Sequence, residues 1–176
     1  GISTLFDKDE FIKPTTTQEK LSQLKPAFKK ENGTVTAGNS SGINDGAASL
    51  FIASEVAVNK YKVKPLARIV SSAVIGVEPR IMGIGPVEAT RIVLKKAGLR
   101  LEDMDVIELN EAFAAQSIAC LRELGLSDDD PRINPNGGAI SLGHPLGMSG
   151  ARITYTAARE LQNLKKRFAL ATMCVG

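Results

Sequence analysis

The stretch DVIELNEAFAAQSIACLRELG, residues 105–125, joins a short apolar run to an amphipathic one. DVIEL has the length and the apolar character of a buried β-strand. In the run that follows, Ala114, Ile118 and Leu121 recur at the spacing that places them on one face of a helix, and Gly125 ends the pattern. The stretch therefore predicts a strand followed directly by a helix.

The same alternation continues on both sides of this stretch. We predict helices in EVAVNKYK, in PVEATRIVLKKAG and from about Gly150 to Leu164, with a further short helix capped by Thr17. We predict strands in AASLFIAS, PLARIVSSAVIGV and RFALATMC. Strands that alternate with helices indicate an α/β layered domain with a mixed or largely parallel β-sheet flanked by helices.

The composition is that of an ordinary globular domain, with 176 residues of which 43% are hydrophobic and 23% charged. The formal charge is +3, but the lysines are scattered and there is no tryptophan, so we expect no nucleic-acid partner. No apolar run approaches the roughly 18 residues of a membrane helix, and the stretch GISTLFDKDEF has neither a basic n-region nor an apolar h-region, so we expect no export signal and no membrane partner. The two cysteines form no disulfide framework, which predicts reduced thiols and a cytoplasmic location.

The only histidine, His144, stands in the glycine-rich run NPNGGAISLGHPLGMSGAR, residues 134–152. Glycine and proline at this density are typical of a rigid, tightly packed loop. His144 is either an ordinary loop histidine or a functional imidazole. The run lacks the GK[ST] of a phosphate-binding loop, and GIGPVE lacks the third glycine of a dinucleotide fingerprint. No cluster of His, Cys, Asp and Glu has metal spacing, so we expect no metal.

Other candidate side chains stand where predicted strands end. Cys174 is either an inert core thiol or a thiol whose pKa falls beside an imidazole far enough for proton transfer. Asn110 either caps a helix or positions a water and polarises a carbonyl oxygen. Glu111 is interpreted as a first-turn acid of the helix, and Cys120 as a core residue. We expect the loops NEAF, GHPLG and CVG to converge, because ligands gather where strand ends meet loops.

Taken together and in this order, TVTAGNSSGINDGAA, MGIGPV, ELNEAFAAQ, NPNGGAISLGHPLGMSGAR and LATMCVG resemble the C-terminal half of the thiolases, the acetyl-CoA acyltransferases. The resemblance runs from about Leu21 to Gly176. Within the family, LRELGLSDDDPRINPNGGAISLGHPLGMSGAR is most similar to the bacterial 3-oxoadipyl-CoA thiolases of aromatic-compound breakdown. The resemblance implies the thiolase fold, in which similar βαβαβαββ halves pack in α/β/α/β/α layers.

The resemblance also implies a role for each candidate residue. His144 matches the base that activates a nucleophilic cysteine and, with a water held by Asn110, binds the thioester oxygen. Cys174 matches the general acid and base at the α-carbon of acetyl-CoA, and Gly176 matches a glycine whose N–H contributes to a second oxyanion hole. The residues that match coenzyme A contacts are Ala37, Ser40, Ser41, Met82, Ala112 and Phe113. CoA and acyl-CoA are substrates on this interpretation, and we expect no permanently bound cofactor.

The chain departs from the family pattern, because the nucleophilic cysteine of thiolases lies in the N-terminal half and the chain stops inside the CVG motif. We interpret residues 1–32 as the remnant of a loop region and residues 33–176 as an incomplete thiolase C-terminal domain. The expected partners are the missing N-terminal half and, in the full-length protein, further copies in a homodimer or homotetramer. We expect the 176-residue chain alone to be inactive and to expose apolar surface.

Three other functions compete with a 3-oxoadipyl-CoA thiolase. The substrate is either 3-oxoadipyl-CoA, cleaved to succinyl-CoA and acetyl-CoA, or acetoacetyl-CoA or a fatty 3-ketoacyl-CoA. A non-catalytic acyl-CoA-binding fragment would not need to retain both His144 and Cys174. The decarboxylating condensing enzymes typically carry a second histidine in place of Cys174, which argues against them.

Overall fold

A computed structural model describes residues 3–176 of the chain. Its helices and strands are, in chain order, α1 (Gln18–Ser22), α2 (Glu55–Tyr61), α3 (Gly85–Ala97), β1 (Val106–Leu109), α4 (Ala114–Glu123), α5 (Ala139–Leu142), α6 (Leu146–Leu164) and β2 (Ala169–Thr172). The 3-10 segments Pro79–Ile84 and Leu101–Asp103 precede α3 and β1. This combination of helices with a central parallel pair of strands confirms the α/β prediction.

β1 and β2 lie side by side in parallel, in a register that runs from Val106 opposite Ala169 to Leu109 opposite Thr172. Every residue of β1 is buried, and α6 packs against both strands. Because the strands run in the same direction, the loops that leave their carboxyl ends meet at one edge of the sheet.

The core consists of two clusters of apolar side chains around β1. The buried residues of the first are Val87, Leu109, Cys120 and Leu121, and those of the second are Met104, Ile107 and Leu170. Successive side chains of a strand point to opposite faces, so Glu108 is directed away from Ile107 and Leu109, towards the side on which α6 lies. Most of the core is therefore built from the part of the chain that the sequence predicted to alternate between strand and helix.

The helix ends follow local signals. Thr17 caps α1 as predicted, since its hydroxyl accepts a hydrogen bond from the backbone N–H of Lys20 at 3.2 Å. Gly98, in the left-handed region with φ 67°, ends α3. The predicted start of α6 near Gly150 is late, because the helix begins directly after Pro145, whose φ of −64° already suits a helix entrance.

Two strand predictions are wrong, since neither AASLFIAS nor PLARIVSSAVIGV forms a hydrogen-bonded strand in the described part of the chain. Phe51 and Val74 in these runs are 106% and 95% exposed. A β-branched composition favours a strand, but a strand forms only where a neighbour completes its hydrogen bonds. Within residues 3–176, the antiparallel pairing that a mixed sheet requires is limited to isolated bridges, Pro26–Thr36 and Ser40–Phe113.

The surface carries the exposed apolar side chains that the sequence predicted. Besides Phe51 and Val74, Leu146 at the start of α6 and Val175 near the end of the chain are largely exposed. None of the helices in residues 3–176 is long and apolar enough to cross a membrane.

Candidate active site

Asn110 and His144 meet at the carboxyl edge of the β1–β2 pair. Asn110 directly follows β1, and its backbone N–H donates to the carbonyl oxygen of Thr172, the last residue of β2, at 3.0 Å. The amide nitrogen of the Asn110 side chain lies 3.4 Å from Nε2 of His144. Cys174 follows the end of β2 and so leaves the sheet at the same edge. The structure thus joins the NEAF and GHPLG loops, as the layout of the sequence predicted, and CVG follows β2 at the same edge of the sheet.

The glycine before His144 lets a distant segment reach the loop backbone. The backbone N–H of His144 donates to Oδ1 of Asn44 at 3.1 Å. Gly143 has φ 97°, and a Cβ at that position would lie 2.7 Å from the same oxygen. Only glycine combines this backbone conformation with so close an approach. Asn44, in the GIND segment, is a contact that sequence reasoning missed.

Ser149 orients the imidazole of His144. The Ser149 hydroxyl is fully buried, donates to the carbonyl oxygen of Pro145 at 3.0 Å and lies 2.6 Å from Nδ1 of His144. Because its one proton is used at Pro145, the hydroxyl accepts from Nδ1, which assigns the imidazole proton to Nδ1. Nε2 is then unprotonated and faces Asn110. Sequence reasoning missed Ser149, although a hydroxyl five residues beyond the histidine, at the start of the predicted helix, is the available signal.

The environment of His144 keeps its imidazole neutral. Partial burial lowers the pKa of His144, and the positive charge of Arg152 on α6 lowers it further. A cationic imidazole is disfavoured both by the loss of hydration and by the nearby guanidinium. At neutral pH the ring therefore carries a free lone pair on Nε2, which is the state that a general base requires.

Cys174 is a buried, protonated thiol. Burial raises the pKa of Cys174, and a backbone hydrogen bond only partly offsets that effect. The expectation that a neighbouring imidazole lowers this pKa is wrong for the described chain, since the loss of hydration dominates. A protonated thiol is suited to donate a proton rather than to act as a resident thiolate.

Asn110 is fully buried and presents an unpaired oxygen. The N-cap interpretation is wrong, since α4 begins at Ala114 with Phe113 as its N-cap. Within the described chain Oδ1 of Asn110 has no hydrogen-bond partner. Buried amide oxygens normally accept a hydrogen bond, so this atom marks a position for a donor from outside the chain, such as a water.

The residues matched to coenzyme A contacts lie on adjoining segments. The backbone N–H and the hydroxyl of Ser41 both donate to the carbonyl oxygen of Ala112, at 3.0 and 3.2 Å. Ser40 forms a bridge with Phe113, and its hydroxyl donates to the carbonyl oxygen of Thr36 at 2.7 Å. Ala37 lies in the exposed turn between Thr36 and Ser40. The TAGNSSG turn is therefore fastened to NEAF, which places both within reach of one ligand.

Met82, also matched to a coenzyme A contact, lies against Gly176. A Cβ on Gly176 would lie 3.5 Å from Cε of Met82, so the two residues are in contact. Next to Met82, the carbonyl oxygen of Gly83 accepts a hydrogen bond from the thiol of Cys120 at 3.3 Å. Cys120 is fully buried among apolar side chains, which confirms its interpretation as a core residue.

Glu111 is not the first-turn acid that the sequence predicted, because it precedes α4 rather than belonging to it. Its carboxylate instead accepts a hydrogen bond from the backbone N–H of Ile140 in α5, at 3.1 Å. The sequence placed the acid at a helix N-terminus, but the helix it contacts is a different one. Among residues 3–176, no three His, Cys, Asp or Glu side chains are arranged to hold a metal ion.

Glu108 is an ionisable group inside the core, which sequence reasoning missed although a glutamate within DVIEL was the signal. It is fully buried, and neither carboxylate oxygen has a hydrogen-bond partner in the described part of the chain. Burial raises the pKa of Glu108 to about 7, against the opposing effect of Arg152. The side chain therefore changes its charge near neutral pH.

Replacing Glu108 by glutamine is expected to flatten the dependence of stability on pH. The carboxyl binds its proton more tightly in the folded chain, with a pKa of about 7, than in the unfolded chain, with 4.5. Its contribution to stability is therefore fully present below pH 4.5 and is lost as the pH rises through 7, by up to about 3 kcal/mol. Urea unfolding of both proteins at a series of pH values measures this. Glu123→Gln, at an exposed site, is the control, and parallel curves for wild type and Glu108→Gln would contradict the expectation.

Comparison with known proteins extends the resemblance over the whole chain. A family model described as "Thiolase, C-terminal domain" matches residues 63–176, and one described as "Thiolase, N-terminal domain" matches residues 1–56. The likeness therefore begins upstream of Leu21, where the motifs alone had placed its start.

Curated relatives that match the full chain include two thiolases. The 3-oxoadipyl-CoA/3-oxo-5,6-dehydrosuberyl-CoA thiolase of Escherichia coli K12 is 60% identical over 176 residues, which are 100% of this chain and 44% of the relative. A beta-ketoadipyl-CoA thiolase of Acinetobacter baylyi is 56% identical over the same shares. The chain thus spans less than half the length of the curated relatives it matches.

The same family appears among solved structures. The structure of human mitochondrial 3-ketoacyl-CoA thiolase in complex with CoA superposes with a TM-score of 0.90 at 53% sequence identity, covering 97% of this chain and 43% of the human one. The arrangement of β1, β2 and α6 around Asn110 and His144 is therefore part of the thiolase fold. With a C-terminal domain model matched over residues 63–176, the chain belongs to the thiolase family.

Proposed function

We propose that the complete polypeptide transfers an acyl group between a 3-oxoacyl-CoA and CoA, by thiolytic cleavage or by the reverse Claisen condensation. The observation that carries this proposal is the line of hydrogen bonds from Pro145 through Ser149 and His144 to Asn110. It fixes an unprotonated imidazole nitrogen beside a buried amide, at the edge where the Cys174 thiol emerges. This is a base next to a hydrogen-bond donor, as a reaction through a thioester oxyanion requires.

In thiolytic cleavage, His144 takes the proton of a nucleophilic thiol that lies outside these 176 residues. The thiolate attacks the 3-oxo carbon, and cleavage of the bond between the second and third carbons leaves the electron pair on acetyl-CoA. Cys174 donates its proton to that carbanion. The raised pKa of Cys174 supports this role, because a buried thiol keeps its proton until a strong base develops beside it. The thiol of free CoA then gives its proton to the Cys174 thiolate and attacks the acyl-enzyme thioester, and the nucleophilic thiolate that leaves recovers its proton from His144.

The developing oxyanions need donors that are already in place. We assign the first oxyanion hole to two donors, a water held by Asn110 and Nε2 of His144. Nε2 becomes a donor once it has taken the proton of the nucleophilic thiol. The free Oδ1 of buried Asn110 supports a water at this position. The second oxyanion hole is assigned to the backbone N–H of Gly176. Each such donor is worth about 3–4 kcal/mol of transition-state stabilisation.

Coenzyme A is assigned to the surface that the TAGNSSG turn and NEAF form together. Ala37, Ser40 and Ser41 would lie along the pantetheine, with Met82, Ala112 and Phe113 around the thioester. The hydrogen bonds of Ser41 to Ala112 support this placement, since they hold the TAGNSSG turn and NEAF together without a ligand. Because the hydroxyl protons of Ser40 and Ser41 are used within the chain, these oxygens would accept hydrogen bonds from pantetheine amides.

For the substrate we favour 3-oxoadipyl-CoA, cleaved to succinyl-CoA and acetyl-CoA, because relatives at 56% and 60% identity carry that name. Acetoacetyl-CoA and fatty 3-ketoacyl-CoA are the alternatives. We further propose a homo-oligomer, supported by the exposed apolar side chains, and a cytoplasmic location, supported by two free cysteines.

The 176-residue chain alone is expected to show no thiolysis of acetoacetyl-CoA by CoA, since none of its residues is assigned to carry the acyl group. The loss of the acetoacetyl-CoA enolate absorbance measures the reaction, with the complete polypeptide as the positive control. Turnover by the short chain would overturn the assignment of Cys174 as a proton donor. Absence of activity from the complete polypeptide with both acetoacetyl-CoA and 3-oxoadipyl-CoA would overturn the proposed function.

A further inference from the structure

The carboxylate of Glu111 joins the end of β1 to the loop that carries His144. One oxygen accepts from the backbone N–H of Ile140 at 3.1 Å, and the other accepts from the side-chain amide of Asn134 at 3.2 Å. Both oxygens are therefore engaged by the same loop, on either side of its glycine pair. Glu111 itself is the residue directly after Asn110, so the loop is attached next to the amide that faces His144.

Asn134 anchors the first end of this loop to β1. Its side chain accepts from the backbone N–H of Leu109 at 2.9 Å and donates to the Leu109 carbonyl oxygen at 2.8 Å. Its own backbone N–H donates to the carbonyl oxygen of Ile107 at 2.8 Å. Asn134 therefore makes the hydrogen bonds with β1 that a neighbouring strand would make. Its backbone φ is 43°, in the left-handed region that asparagine tolerates better than most residues. The side-chain amide that donates to Glu111 is therefore fixed in place by its hydrogen bonds to β1.

Gly138 is shaped to receive the Glu111 carboxylate. A Cβ at Gly138 would collide with the carboxyl carbon and with both oxygens of Glu111, and these are the nearest atoms it would meet. The backbone of Gly138, with φ −105° and ψ −171°, is open to any L-residue. The glycine is therefore required by the carboxylate and not by the backbone conformation.

We propose that Glu111 is a positioning residue, whose carboxylate fastens residues 134–144 to the end of β1 and so sets the distance between the Asn110 amide and Nε2 of His144. The inference rests on the proposed acyl transfer for its catalytic consequence. Glu111 belongs to NEAF, but its carboxylate accepts from Asn134 and Ile140, neither of which is assigned to the ligand. It acts through α5, which leads from Ile140 into Gly143 and His144.

The test compares Glu111→Ala and Glu111→Gln with the exposed control Glu123→Gln. Alanine removes both hydrogen-bond acceptors, whereas glutamine keeps one acceptor and nearly the same volume. In the complete polypeptide, kcat of Glu111→Ala is expected to fall by about 10²-fold, as for other displacements of about 1 Å at a catalytic group. The KM for CoA should change by no more than about twofold, because the Ser41 contacts with Ala112 are untouched. Glu111→Gln should lie between wild type and Glu111→Ala.

A spectroscopic readout does not depend on activity. His144 is the only histidine of the chain, so its ¹⁵N-labelled imidazole gives one pair of signals in the untagged 176-residue protein. Glu111→Ala should displace these signals, and Glu123→Gln should not. If the signals of Glu111→Ala coincide with those of wild type, the inference is overturned. If the signals move but the complete wild-type polypeptide transfers no acyl group, the proposed function fails while the positioning contact stands.

Gly138→Ala provides a second arm that separates positioning from a general loss of folding. Alone, it should reproduce the loss in kcat of Glu111→Ala, since the new methyl group displaces the carboxylate. In the Glu111→Ala background it should add little, because its collision partner is gone. Full additivity of the two substitutions would overturn the inference. If either single variant unfolds, Glu111→Gln and the double variant still distinguish positioning by the carboxylate from a general loss of folding.

Discussion

Replacing Cys174 by alanine in the complete polypeptide is expected to lower the rate of condensation by about 10²–10⁴-fold, while transfer of an acetyl group from acetyl-CoA to the enzyme stays measurable. Condensation removes a proton from the α-carbon of acetyl-CoA, and cleavage returns one to it, so both need an acid and base at that carbon. Acylation needs neither. Separate measurement of [¹⁴C]acetyl incorporation and of acetoacetyl-CoA formation resolves the two steps.

Cys120→Ser is the matched control for this prediction, since it also removes one thiol but from the apolar core between β1 and α4. Both steps should persist in that variant. Loss of acetyl incorporation in Cys174→Ala, with correct folding by circular dichroism, would contradict the assignment of Cys174 to proton transfer at the α-carbon alone.

Replacing His144 by alanine is expected to slow acylation itself, again by about 10²–10⁴-fold, because the nucleophile loses its base. Ser149→Ala should have a smaller effect, since it removes the hydrogen bond that orients the ring but leaves the ring in place. The rate of acetyl incorporation, measured by quenched flow, tests both variants. Unchanged incorporation in His144→Ala, together with loss in Cys174→Ala, would mean that the two roles are reversed.

Local sequence patterns predicted the elements that make their own contacts. The spacing of the apolar residues was enough to predict α3 and α4. Gly98, in the left-handed region, marked the end of α3. β1 was predicted as a buried strand because it is short and three of its four residues are apolar. Where these elements begin and end depends on residues that are close together along the chain. A sequence pattern records such residues, so it could predict these elements.

AASLFIAS and PLARIVSSAVIGV could not be predicted in the same way. Their composition favours strands, but a strand is defined by the hydrogen bonds of its neighbours, and β1 and β2 pair with each other instead. The start of α6 depended on a single residue, Pro145, whose helical φ brings the entrance next to His144.

In the candidate site, the meeting of Asn110 with His144 followed from the ends of parallel strands. The contacts that orient these side chains did not, because each joins residues that no local pattern relates. Asn44 reaches His144 across a separation of 100 residues, and Glu111 reaches Ile140 across 29. Glu111 was taken for a helix acid because sequence spacing shows the next helix and not the one that approaches in space.

The most direct test of the assigned roles is to locate the acetyl group on the complete polypeptide after brief exposure to [¹³C₂]acetyl-CoA, by acid quench and peptide mass spectrometry. We expect the label on a residue outside this 176-residue chain, with Cys174 and Cys120 unlabelled. The label should be nearly absent when His144 is alanine. An acetyl thioester on Cys174 would contradict its role as the proton donor. It would also contradict the assignment of separate roles to His144 and Cys174.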